Sequence, residues 1–114
     1  MIFETRHLLF SNTALRQAFA WYQKVPNQGD LPFGLITSVS PKADGSTVVL
    51  VQQSGSSKAR EVAFQPSKTL GVLLLFCRRQ KVPIPRDAEK DIAASDDGIM
   101  LTIRGQTATT APPS

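Results

Sequence analysis

Apolar and polar residues change period along this chain, and the changes mark out its elements. Residues 2–10 are mostly apolar or tolerant of extended backbone, which predicts a strand. Ser11, Asn12 and Thr13 follow with short side-chain oxygens suited to capping a helix. Leu15, Ala18, Phe19, Tyr22 and Val25 then recur at helical spacing, while Arg16, Gln17, Gln23 and Lys24 fall largely on the other side. That spacing predicts an amphipathic helix over 14–24, stopped by the Pro26-Asn27-Gln28-Gly29 stretch. Residues 35–39 and 47–52 read as two strands joined through Asp44-Gly45, a pair that supplies the positive-φ positions hairpins use. Residues 54–57 read as a flexible connection.

The second half follows the same order. Residues 60–64 alternate as a strand, and Pro66 suits a helical first turn, where its missing N–H costs nothing. Residues 70–80 predict a second helix, ended by Lys81-Val82-Pro83-Ile84-Pro85. A short strand at 90–94, a turn at Asp96-Asp97-Gly98 and a closing strand at 99–104 complete the chain.

The two runs align in sequence. Arg6 to Phe10 falls on Arg60 to Phe64 at a shift of 54, and Leu15 on Leu70 at 55. Leu31-Pro32 falls on Ile84-Pro85, and Asp44-Gly45 on Asp97-Gly98, both at 53. The expectation is a pair of tandem βαββ units, halves 1–53 and 59–105, or two ordinary helix-plus-hairpin units that happen to agree. Either reading predicts one α+β domain over 1–105: a two-layer, mostly antiparallel sheet of about six strands with two helices on one face. Residues 106–114 hold no charge and no large apolar side chain, and read as a disordered tail.

Composition narrows the function classes. The chain has 114 residues, 41% hydrophobic and 19% charged, enough for one modest core. One Cys and one His exclude an internal disulfide and a Cys- or His-rich metal centre. No apolar run approaches the ~18 residues that span a bilayer, so no membrane role is expected. Glu4 and Arg6 interrupt the first apolar residues, which is unlike a secretion signal and points to a cytoplasmic, reducing setting.

Candidate chemistry is sparse. Cys77 sits within an apolar helix and reads as a buried structural thiol. His7 has no carboxylate or serine at motif spacing. Asp87, Glu89 and Asp91 would share one face of a strand, but Arg86 and Lys90 interleave with them and can pair with them. No phosphate-binding glycine loop and no nucleophile elbow is present. No catalytic residue, metal ligand or cofactor is therefore assigned, and a small enzyme built on His7 or the acidic triplet is the third-ranked reading.

Charge and the second helix carry more. Lys plus Arg total 13 against 9 acids, a net charge of +4. Positions 78–86 alone supply Arg78, Arg79, Lys81 and Arg86 with no acid, leaving nine cations against nine acids elsewhere. A helix C-terminus favours cations, which accounts for part of the cluster. Pro83 and Pro85 stiffen the segment that presents Arg86. The expected role is a non-catalytic interaction or regulatory module that docks an acidic protein surface through these four residues. The alternative is sequence-independent binding of nucleic acid or a phosphate ligand at the same patch, although only Phe33 stands in a loop as a stacking aromatic. The second helix is apolar all round from Leu70 to Cys77. It is expected to be central and flanked by Trp21 at Gly71, or to self-associate through Val72 and Leu75 as a homodimer, or to form a groove for another protein.

Overall fold

The computed structural model describes residues 3–53, 55 and 57–106. The expected tail from residue 107 onward lies outside these residues, as do position 2 of the first strand and two positions of the 54–57 connection. The elements run β1 (Phe3–Ser11), α1 (Asn12–Tyr22), β2 (Leu35–Pro41), β3 (Thr47–Gln52), β4 (Ala59–Phe64), α2 (Pro66–Arg79), β5 (Glu89–Ser95) and β6 (Gly98–Gln106). Among the described residues this is an α+β fold of six strands and two helices. No helix among the described residues is long and apolar enough to cross a membrane.

The helices start where the sequence offers a start. Ser11 is extended, and its Oγ accepts from the Ala14 N–H at 3.1 Å, satisfying one of the free donors of the first turn. Gln65 caps α2 without a side-chain bond, and Pro66 occupies the first turn, so this helix begins before the predicted residue 70. Thr69 in that added turn is buried, and its Oγ1 donates to the Phe64 carbonyl at 3.3 Å.

The strands divide into two antiparallel three-stranded sheets, ordered β1-β6-β5 and β2-β3-β4. Each helix carries the chain from one sheet to the other. The first strand of each half therefore pairs with the hairpin of the other half: β1 with β6, and β4 with β3. Alternation fixes which face of a strand is buried and leaves its partner open, which is why the expected single sheet appears as two. Phe10 stands opposite Ile99 and Phe64 opposite Thr47, so Ile99, Leu101 and Ile103 of β6 occupy the places of Thr47, Val49 and Val51 in β3. All six are buried. The hairpins differ in length: Asp44-Gly45 lies in the Lys42 to Ser46 loop, whereas Ser95 and Gly98 pair directly across Asp96-Asp97. Gly98 has φ +145°, and a Cβ there would overlap the Phe10 carbonyl, so β1 and β6 close only around a glycine.

One core joins both sheets and both helices. Leu15, Ala18, Phe19 and Tyr22 face it from α1; Thr69, Val72, Leu73 and Cys77 face it from α2. Phe64 receives Phe19 and Tyr22 edge-on, with ring centroids 5.1 and 6.3 Å away. Two expectations change here. Val72 is 1% exposed and belongs to this core, so it is not part of a self-association surface; of that pair only Leu75, 40% exposed, reaches solvent. Trp21 meets α2 at Phe76, ring centroids 6.0 Å apart, and not at Gly71, whose Cβ position is open. The fully buried position one turn into α2 is Thr69, which matches Leu15 at a shift of 54; Leu70 is half-buried.

Candidate functional site

The geometry of the basic cluster begins with how α2 stops. The Val82 N–H donates to the Cys77 carbonyl at 2.8 Å and the Lys81 N–H to the Arg78 carbonyl at 3.1 Å, the crossed pair of bonds that closes many helices. That closure needs a left-handed residue between them, and Lys81 takes it at φ +62°. Glycine is the residue usually found there, because a Cβ is penalised in this conformation. The first half has a left-handed residue 54 positions earlier, Asn27 at φ +64°, and asparagine is one of the side chains that tolerates it.

Beyond Lys81 the chain is held by cations. Arg6 of β1 donates from Nη1 to the Pro83 carbonyl at 2.8 Å. Lys90 of β5 donates from Nζ to the carbonyls of Arg86 and Ala88, both at 3.0 Å. The result is a surface groove of about 590 Å³ between the last turn of α2 and the loop. Leu74, Val82 and Ile84 give it an apolar floor, half-buried, and Arg78, Lys81, Arg86 and Lys90 surround it with no acidic side chain in the lining. Among the described residues the ion pairs lie elsewhere, Lys68 with Asp30 at 3.0 Å and Arg104 with Asp91 at 2.7 Å. Arg78, Arg79, Lys81 and Arg86 are exposed.

The structure thus brings Arg78, Lys81 and Arg86 to one groove and places Arg79 on the far side of the helix end. There it joins a second depression of about 430 Å³, walled by Trp21, Val25, Pro26 and Leu75 and edged by Lys24, Arg78 and Arg79. Arg78 borders both. Sequence reading missed Arg6 and Lys90. Both carry a signal in the alternation: Arg6 shares the inward side of β1 with Leu8 and Phe10, and Lys90 stands opposite buried Ile103, where the corresponding position of the other sheet is Ile36 opposite Val51. A cation on a core-facing position has to be held by something, here backbone carbonyls.

The other candidates resolve differently. Cys77 is 3% exposed, and burial pushes its thiol pKa up, with the Arg6 charge only partly opposing, so the thiol is neutral at physiological pH. His7 is exposed, its Nδ1 3.1 Å from Thr102 Oγ1. Asp91 is engaged by Arg104, and among the described residues no three His, Cys, Asp or Glu side chains are grouped to hold a metal ion. A further polar cluster ties the 26–34 loop to α2. The Tyr22 hydroxyl donates to Asp30 Oδ2 at 2.8 Å, and Lys68 Nζ lies 3.0 Å from the same oxygen. Burial, reinforced by that bond, pushes the Tyr22 pKa up to about 12, while the bonds from Tyr22 and Lys68 hold the Asp30 carboxyl below its ordinary value.

Compared with protein-family models, curated proteins and solved structures, the chain shows no match.

Proposed function

We propose that this domain is an interaction module that docks an acidic segment of a protein partner in the groove formed by Arg78, Lys81, Arg86 and Lys90. The observation that carries the reading is the lining itself: four cations converge on an apolar floor with no acid among them. Like charges brought together this way repel, and an anionic occupant relieves that repulsion. Lys81 adds independent support. A lysine at a left-handed helix stop, where glycine is the stable choice, places a charge there at the cost of local strain. Arg79 contributes to the same cationic helix end from its other side.

Fluorescence anisotropy with a labelled glutamate-rich peptide tests this. Binding at low salt is expected, with affinity falling about tenfold in an Arg78→Glu/Arg86→Glu variant, since exposed ion pairs are worth up to ~1 kcal/mol each and ~1.4 kcal/mol is a decade. Both side chains are exposed, so helix content should be unchanged by circular dichroism. A peptide that binds the variant as well as the wild type refutes the proposal. A random-sequence oligonucleotide bound more tightly than the peptide at ~20 mM salt transfers the groove to nucleic acid instead.

A further inference from the structure

The second depression gives the proposed partner a more definite shape. It lies beside the basic groove, across the last turn of α2, and Arg78 forms part of the lining of both. Its character is different. The walls are Trp21, Val25, Pro26 and Leu75, and Lys24, Arg78 and Arg79 supply cations with no acid. Leu75 is 40% exposed, although large apolar residues on a helix bearing a buried stripe usually turn inward. Trp21 is half-buried, tilted at 53° against Phe76, which fixes one wall of the depression. An apolar seat edged by one sign of charge is complementary to an apolar side chain flanked by carboxylates.

We infer that the depression between the end of α1 and α2 is an anchor pocket for one bulky apolar side chain of the acidic segment, whose carboxylates meet Lys24, Arg78 and Arg79 around it. This inference rests on the acidic-partner reading above and adds to it. The basic groove alone selects charge, whereas the anchor pocket selects an acidic segment interrupted by a large apolar residue. Charge supplies the approach and the apolar anchor the residence time. A nucleic acid strand fits less well, because the seat holds a single aromatic ring already packed on Phe76 among aliphatic walls, and strand binders set out successive stacking rings.

Two capped synthetic peptides make the test, Glu-Glu-Phe-Glu-Glu and Glu-Glu-Ala-Glu-Glu. The chain has one tryptophan, so the intrinsic emission reports on this wall alone. The phenylalanine peptide is expected to bind about tenfold more tightly, from burial of its ring, and to shift the Trp21 emission; the alanine peptide should not shift it. Leu75→Asp should erase the advantage of phenylalanine, with helix content unchanged by circular dichroism because the side chain lies outside the core. Arg86→Glu should weaken both peptides alike and preserve their ratio. Equal affinities in the wild type, or an advantage that survives Leu75→Asp, overturn the anchor while leaving the basic groove standing. Failure of both peptides to bind removes the acidic-partner reading and the anchor together. Displacement of the phenylalanine peptide by a tighter-binding single-stranded oligonucleotide overturns the anchor in favour of nucleic acid. A wild-type dimer in sedimentation at ~100 μM that Leu75→Asp dissociates overturns it in favour of a second copy of the chain.

Discussion

Replacing Lys81 by glycine and by alanine separates what this residue costs the fold from what it gives the surface. Both substitutions remove the ammonium, so any effect of charge on the helix end and on neighbouring cations is common to the two. Only glycine removes the Cβ that the left-handed backbone at φ +62° penalises. That penalty is roughly 1–2 kcal/mol. Glycine gives back about 0.5–1 kcal/mol through the greater freedom of its unfolded chain. The glycine variant should therefore be more stable than the alanine variant by about 0.7 kcal/mol, the difference between the middles of the two ranges. For a domain of this size that is a difference of about 3 °C in Tm. Thermal unfolding followed by circular dichroism, checked by urea midpoints at constant m, measures it. Binding of the glutamate-rich peptide should fall equally in both variants, by about threefold to fivefold for one exposed cation worth up to ~1 kcal/mol. An alanine variant as stable as the glycine variant refutes the strain argument, and a glycine variant that binds like wild type refutes the use of the charge.

Other consequences follow from particular groups. Thr47 is fully buried, and its Oγ1 has no hydrogen-bond partner among the described residues, so Thr47→Val should raise stability by about 1 kcal/mol in chemical denaturation; a loss of stability would show that the hydroxyl is satisfied in solution. Tyr22 is the sole tyrosine, and phenolate absorbance should titrate near pH 12, not near 10. Because the folded value is raised above the unfolded one, that contribution is complete below pH 10 and is lost as pH rises from 10 to 12. Urea midpoints should therefore fall across this window in the wild type and not in Tyr22→Phe. Asp30 has the opposite sign: its folded pKa is lowered from 3.8, so its contribution is present above that value and is lost as pH falls below it, and the acid transition should be displaced upward in Asp30→Asn. Gly98→Ala should cost more than ~2 kcal/mol or prevent folding, since the added carbon overlaps the Phe10 carbonyl; a stable variant by thermal melt would contradict the register of β1 on β6.

Much of this was legible in the sequence because local patterning dictates it. The Ser11 cap, the inward stripe of Leu15, Phe19 and Tyr22, and the alternation of Val49 and Val51 are one-dimensional signals, and the elements appear where those signals stand. What was not legible depends on pairing over long separations. Nothing near Phe3 says that its partner is Gln106. The inward face of α2 is not legible because the helix is apolar all round from Leu70 to Cys77; the structure turns Val72 inward with Thr69, Leu73 and Cys77 and leaves Leu75 outside. The candidate patch was found by its charge run, but its shape was not. Arg79 parts from Arg78 around the helix end, and Lys90 arrives from a strand where its sequence neighbours are acids that suggest pairing.

The crossed pairing of the halves also sets an order of events as the chain leaves the ribosome. β1 is made first, and every rung of its ladder is with β6, made last. β2, β3 and β4 can close their sheet early, since they are neighbours in sequence. Throughout that interval β1 has an open backbone edge, with Phe3 and Leu9 on one face and Leu8 and Phe10 on the other. Contacts of such separation slow folding, because the loop entropy comes due before any bond repays it. The waiting strand is thus exposed to pairing with another nascent chain, and the polar run from Glu4 to His7 beside its apolar residues is where the sequence guards against that.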